Sequence, residues 1–397
     1  MNPRLGLLQP YPFERLRGLL AGVVPNPDLA AINVSIGEPK HPTPALLKEA
    51  LASSLGGLSG YPATAGLPAL REAIADWLRM RYRLGTIDAT TQVLPVNGSR
   101  EALFSFAQAV LDPVETRAKV VCPNPFYQIY EGAALLAGAS PVYLNTTPAN
   151  GFRMHFDSLG DGVWKDVRLV FACSPANPSG AVISLEQWRQ LFELSDRYGF
   201  VIASDECYSE LYYDETSPPV GALQAAAALG RAEFPRVVAF GSLSKRSNAP
   251  GMRSGFVAGD ARILRKFLLY RTYHGSAMSL PVQQASIAAW RDEVHVRENR
   301  RAYAEKYRAV LPIVPAQIST AMPEGGFYLW AQTPIDDTEF VRRLHRDYNV
   351  LALPGSYLAR DAHGENPGRQ FVRIALVPPL ADCVDAMQRI RSFSTSL

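Results

Sequence analysis

Residues 236–251 read RVVAFGSLSKRSNAPG. An apolar run that breaks into glycine, hydroxyl residues and a lysine describes a strand buried on both faces and leading into a polar turn. The same grammar recurs upstream. FVIAS (200–204) runs into DECYSELYY, and RLVFAC (168–173) into SPANPSG and the helical stretch SLEQWRQLFELSDRYG. KVVC (119–122) runs into NPFYQIYEGAALLAG, and QVLPV (92–96) into NGSREALFSFAQAVL. Near-continuous apolar strands alternating with helices predict an α/β fold with a parallel sheet covered on both faces. Ligands of such sheets sit beyond the carboxyl ends of the strands, so the polar residues after each run converge on one edge.

Outside this region the pattern changes. Thr43-Pro44 starts a helix reaching about Ser54, and Pro68 starts another with Leu70, Ile74, Trp77 and Leu78 at helical spacing. Beyond Gly259 come a long helix (295–311), a strand (327–331), a helix (337–348), strands at 350–353 and 371–377, and a last helix (381–393). That tail reads as a small α+β domain with which the chain's beginning packs. The expected organisation is an N-terminal segment (1–42), a large domain (43–285) and a small domain (286–397).

The 397 residues, 47% of them hydrophobic, suffice for two or three domains with a sizeable core. A net charge of +3 is too small to suggest nucleic acid or an anionic membrane surface, which call for a concentrated basic face. No window approaches the ~18 apolar residues of a spanning helix. The opening MNPRLGLLQPYPFERLRG places proline and charge where a secretion signal needs an apolar core. Cys122, Cys173, Cys207 and Cys383 lie far apart without CxxC spacing, a pattern of neither a metal site nor a disulfide framework. A cytoplasmic protein without a metal is expected.

The strand-end residues are Gly98-Ser99-Arg100, Tyr127, Asn177, Asp205 with Tyr208, and Ser242, Ser244 and Lys245 with Arg253. They comprise phosphate ligands, an aromatic plate, one carboxylate, hydroxyl and amide donors and one lysine. That set fits pyridoxal 5′-phosphate, which needs a lysine for its Schiff base and an acid for its pyridine nitrogen. The segment SLSKRSNAPGMRSG, with NPSG, DECY and the GEP of SIGEP (35–39) in the same order, resembles the class I/II aminotransferases from about Asn33 to Arg373. Ser254 departs from the family's usual aliphatic residue beside the phosphate site. The resemblance implies fold type I: a large domain with a mostly parallel seven-stranded sheet between helices, plus a small α+β domain.

It also implies roles. Lys245 is the Schiff-base lysine and the amine that moves the proton, Asp205 keeps the pyridine nitrogen protonated, and Tyr208 and Asn177 hold the phenolic oxygen. Gly98, Ser99, Arg100, Ser242, Ser244 and Arg253 form the phosphate cup, Tyr127 stacks on the ring, and Arg373 and Gly37 take the substrate α-carboxylate. Tyr61 corresponds to a tyrosine that reaches the neighbouring subunit's phosphate, implying a homodimer with active sites at the interface. The wording of SIGEPKHPTP, SDECYSELYYDE and RTYHGSAM is most similar to the family branch that aminates N-succinyl-2-amino-6-oxopimelate with glutamate as donor, in diaminopimelate and lysine synthesis. Such an acceptor carries several carboxylates, and Lys40, with Arg271 or His274 of a partner subunit, are the expected cations for the distal ones. An aspartate or aromatic aminotransferase, or a C–S lyase, would use the same cofactor residues. A nucleotide-dependent oxidoreductase would need a GxGxxG after the first strand, and none occurs. A regulator of this kind would need a DNA-binding domain, and 36 residues before Gly37 leave no room for one.

Overall fold

The computed structural model describes residues 1–397. In chain order its strands are β1 (Ile32–Asn33), β2 (Val93–Val96), β3 (Lys119–Asn124), β4 (Ser140–Asn145), β5 (Val167–Cys173), β6 (Val201–Asp205), β7 (Val237–Ser242), β8 (Gly255–Gly259), β9 (Tyr328–Gln332), β10 (Val350–Leu351), β11 (Leu353–Pro354) and β12 (Phe371–Ala375). Seven form one sheet in the order β2-β8-β7-β6-β5-β3-β4. Every pairing in it is parallel except those of β8, which runs against β2 and β7. The five apolar runs of the sequence are all in this sheet. β4 and β8 were not expected. β4 is an edge strand that opens Ser-Pro and buries only Leu144, and β8 reads GFVAG, whose flanking glycines look like turn residues.

Side chains of the central strands alternate between two apolar layers. Val237 and Ala239 face the cluster that holds Trp77, Trp188 and Phe192, and Val238 and Phe240 face the one that holds Phe106, Tyr130 and Phe267. Helices Pro68–Tyr82 and Leu185–Tyr198 cover the first face, and helices Ser99–Val110, Ile129–Leu136 and Ala261–His274 the second. Truncating a ring such as Phe240 between these layers costs about 3–5 kcal/mol.

A second core lies outside this sheet. Antiparallel β11-β12-β9 and the parallel pair β1–β10 carry Ile32, Leu329, Val350 and Val372, against which Leu16, Phe340, Leu344, Ile390 and Phe393 pack. Both chain ends build this cluster. The expected boundary at 285/286 falls inside helix Leu280–Arg291, whose Ile287, Ala289 and Trp290 belong to the large core. The core changes instead along helix Val294–Val310, where Tyr307 and Val310 join the second cluster.

Candidate active site

A cavity of about 560 Å³ opens over the carboxyl ends of β5, β6 and β7 and is closed by residues 11–13, 36–38 and β12. Asp205 is the last residue of β6, beside Cys173 at the end of β5. The Tyr130 hydroxyl donates to its Oδ2 at 2.6 Å and the Cys207 amide to Oδ1 at 3.2 Å. Burial pushes the Asp205 carboxyl up, and those two bonds only partly offset it. A carboxylate in such a place gains most from a cation brought against it.

Lys245 lies in the short turn Leu243–Arg246 that follows β7. Its ammonium donates to the Gly37 carbonyl at 2.5 Å and lies 5.3 Å from the centroid of the Phe327 ring. Burial pushes its pKa down to about 8 from 10.5; Cys207 and Glu38 oppose the shift, while Arg373 and Arg100 reinforce it. A lysine so depressed spends an appreciable fraction of its time as the free amine near neutrality, the form that attacks a carbonyl.

Three guanidiniums line the same cavity, and none of their hydrogen-bond partners is a carboxylate. Arg253 donates to the Pro250 carbonyl at 3.0 Å. Its Nη2 rests where a side chain on Gly98 would begin: a Cβ there would stand 2.4 Å from it, and Gly98 has φ +86°. Gly98 caps helix Ser99–Val110, so the helix's free N–H groups and positive dipole end meet the Arg253 charge. Arg373, on β12, donates to Asn177 Oδ1 at 3.0 Å and to the Ser35 carbonyl at 2.9 Å, with its Nε buried and unpartnered. Its plane covers the Tyr328 ring at 4.4 Å. Arg100 donates through Nε to the Tyr127 hydroxyl at 2.5 Å.

Twelve of the expected residues thus share one cavity: Gly37, Ser99, Arg100, Tyr127, Asn177, Asp205, Tyr208, Ser242, Ser244, Lys245, Arg253 and Arg373, with Gly98 behind Arg253. Four do not line it. Lys40 is exposed and extends to Glu38 at 3.0 Å. Arg271 is wholly buried and paired with Glu101 at 2.6 Å, so it cannot serve a neighbouring subunit as expected. His274 is exposed on the last turn of helix Ala261–His274, stacked on Tyr270, and Tyr61 projects fully into solvent. The departure at Ser254 has a local cause, because its hydroxyl is 2.7 Å from that of Ser286 in the buried interior.

Other contributors were missed. Tyr130 holds Asp205, and its signal was the second tyrosine of NPFYQIY. Tyr328, read only as part of a strand, places its hydroxyl 3.0 Å from that of Tyr208, and a Cβ on Gly37 would collide with it. Cys207 lines the cavity with its thiol 2.8 Å from the Ser99 hydroxyl, although the cysteines carried no chemical signal in the sequence. Tyr11, Phe13 and Leu358 roof the opening.

The donor set fits pyridoxal 5′-phosphate. Arg253, Ser242, Ser244 and the start of helix Ser99–Val110 would hold the phosphate, Tyr127 the ring face, Asp205 the ring nitrogen, Asn177 and Tyr208 the phenolic oxygen, and Lys245 the carbonyl. The fold and this site define a pyridoxal-phosphate enzyme of fold type I. Residues 30–390 match the family model described as aminotransferase class I and II. An LL-diaminopimelate aminotransferase of Maridesulfovibrio salexigens is 30% identical over 98% of this chain and 97% of its own length. A crystal structure of an aminotransferase from Neisseria meningitidis has TM-score 0.96 and 53% identity, covering 99% of this chain and 100% of the other. A probable N-succinyldiaminopimelate aminotransferase from Thermus thermophilus has TM-score 0.84 and 26% identity, covering 96% and 98%. The chain belongs to the class I and II aminotransferases, enzymes that depend on pyridoxal 5′-phosphate.

When bound, the cofactor supplies a carbonyl that exchanges for an amino group and a protonated ring that withdraws electrons from the substrate α-carbon. The chain supplies the rest. Lys245 would contribute the amine that holds the cofactor's carbonyl and the base that carries the α-proton. Asp205, buried and held by the Tyr130 hydroxyl and the Cys207 amide, would keep the proton on the ring nitrogen. Asn177 accepts from Arg373 through its Oδ1, which leaves its amide N–H as the donor that would hold the cofactor's phenolic oxygen.

Proposed function

We propose that this aminotransferase takes the amino group of glutamate and delivers it to N-succinyl-2-amino-6-oxopimelate, by a ping-pong sequence, as a cytoplasmic homodimer serving diaminopimelate and lysine synthesis. The supporting observation is the count of free cations. Arg253, Arg373 and Arg100 meet in one cavity without a carboxylate partner, which suits a phosphate cofactor and a substrate with more than one carboxylate. The similarity to an LL-diaminopimelate aminotransferase and to a probable N-succinyldiaminopimelate aminotransferase favours the same substrate region. Tyr61, fully exposed and outside this chain's cavity, supports a dimer in which it reaches the other copy's phosphate, and His274 is free to approach a neighbour's distal carboxylate.

The deciding experiment compares N-succinyl-LL-diaminopimelate and LL-diaminopimelate as donors to 2-oxoglutarate. Preference for the succinylated compound by about 100-fold or more in kcat/KM is expected, the discrimination a site gains from pairing its buried polar groups. Preference for the free diamine would overturn the substrate reading, and release of pyruvate and ammonia from cystathionine would make the enzyme a C–S lyase.

A further inference from the structure

Tyr328 lines the cavity without a role in the cofactor assignment. It opens β9, opposite Ala375 of β12, and the Tyr307 hydroxyl donates to its carbonyl at 3.0 Å. Its buried ring lies beneath the Arg373 guanidinium, 4.4 Å from carbon to centroid. Its hydroxyl reaches across to the segment after β6 and lies 3.0 Å from the Tyr208 hydroxyl, each being the other's one hydrogen-bond partner. The room for it exists because residue 37 is glycine: a Cβ there would overlap the Tyr328 hydroxyl.

Counting protons gives this pair a direction. A phenol carries one proton to donate and can accept another bond through its oxygen. Burial, reinforced by the neighbouring Tyr328, pushes the Tyr208 hydroxyl well above its ordinary range, so it stays protonated near neutrality. Once Tyr208 gives its proton to the cofactor's phenolic oxygen, the 3.0 Å contact has to be made by the proton of Tyr328. A hydroxyl that accepts one hydrogen bond donates the next more strongly, and low local dielectric enlarges the gain. We infer that Tyr328 is a positioning residue for the cofactor: it donates to Tyr208, fixes that hydroxyl as a donor to the phenolic oxygen and thereby favours the oxygen's anionic form. A more stable phenolic anion holds the neighbouring Schiff-base proton less tightly. The inference rests on the cofactor and on Tyr208's contact with it, and is independent of which acceptor the enzyme aminates.

The test is a pH titration of the visible absorbance band of the pyridoxal-phosphate-loaded enzyme, in wild type, Tyr328→Phe, Tyr208→Phe and the double variant. Tyr328→Phe keeps the ring under Arg373 and loses only the oxygen. Its midpoint should rise by about 0.3 to 1 pH unit, and that of Tyr208→Phe by about 1 pH unit or more, because the second removes the donor itself. The double variant should match Tyr208→Phe within about 0.2 pH unit, since Tyr328 acts through Tyr208. A general loosening of the site would instead move the midpoint in both backgrounds. The inference is overturned if Tyr328→Phe leaves the midpoint in place or lowers it, or if its shift persists in the Tyr208→Phe background. It is equally overturned if Tyr208→Phe alone has no effect, or if none of these proteins titrates between about pH 5 and 10.

Discussion

Two arginine-rich regions of this enzyme differ in one respect. Around Tyr212, on the segment after β6, Arg81 pairs with Glu210 at 2.7 Å, and Arg300 pairs with Glu215 at 2.7 Å and approaches Glu210 at 3.6 Å. The Tyr212 ring has a guanidinium carbon at 5.4 Å from Arg81 and 4.3 Å from Arg300. In the cavity, Arg100, Arg253 and Arg373 have hydroxyl, amide and carbonyl partners and no carboxylate. A buried ion pair is closed on itself and holds helices Pro68–Tyr82 and Val294–Val310 to the intervening segment. Of the cavity guanidiniums Arg373 is buried while Arg100 and Arg253 are open to the cavity mouth, and each, without a carboxylate partner, keeps donors for an incoming anion. The first region describes structure and the second describes ligands.

The comparison can be broken in several places. The largest effect belongs to Lys245, the one cavity cation whose charge must be lost for function. Lys245→Ala should reduce kcat by about 10⁴-fold or more, through loss of both nucleophile and proton carrier, with Tm little changed. In the paired region, Glu210→Gln leaves Arg81 facing a neutral group and should destabilise the fold by about 3–5 kcal/mol, lowering Tm by several degrees while cofactor Kd stays the same. A loss of cofactor affinity with unchanged Tm would invert the distinction between the regions. Arg373→Gln should lower kcat/KM for every α-amino acid by about 10²–10³-fold, with a smaller change in Tm than Glu210→Gln gives.

The smallest effect is one of pH. The Lys245 amine titrates near 8 in the fold and at 10.5 when ordinary. Its folded value is the lower one, so burying the ammonium costs stability below about pH 8, and that cost fades as pH rises toward 10.5. Stopped-flow capture of pyridoxal 5′-phosphate by the cofactor-free protein should therefore accelerate with a midpoint near pH 8. A midpoint near 10 would mean an unperturbed lysine.

The cavity was legible wherever a motif follows an apolar strand, since the end of a buried strand leaves little choice of where its next residue goes. Asp205, Asn177, Tyr127 and Lys245 were all found this way. The same logic failed for β8, whose glycines interrupt the apolar run, and for β4, whose edge position relaxes the need for one. It also failed for the distal cations. Lys40 and Arg271 looked free because their partners, Glu38 and Glu101, are identified by geometry: one is two residues away and the other 170. Tyr328 and Tyr130 were hidden for the opposite reason. An aromatic in an apolar strand or helix reads as core, and only its hydroxyl's partner shows otherwise.

The central claim is that this cavity is built around pyridoxal 5′-phosphate joined to Lys245. The most direct measurement is to load the protein with the cofactor, reduce it with borohydride and map the modified peptide by mass spectrometry. The account predicts one phosphopyridoxyl group per chain, on the peptide that carries Lys245, together with loss of the visible-edge absorbance band. Labelling of a different lysine, or equal labelling of Lys245→Ala, would contradict it.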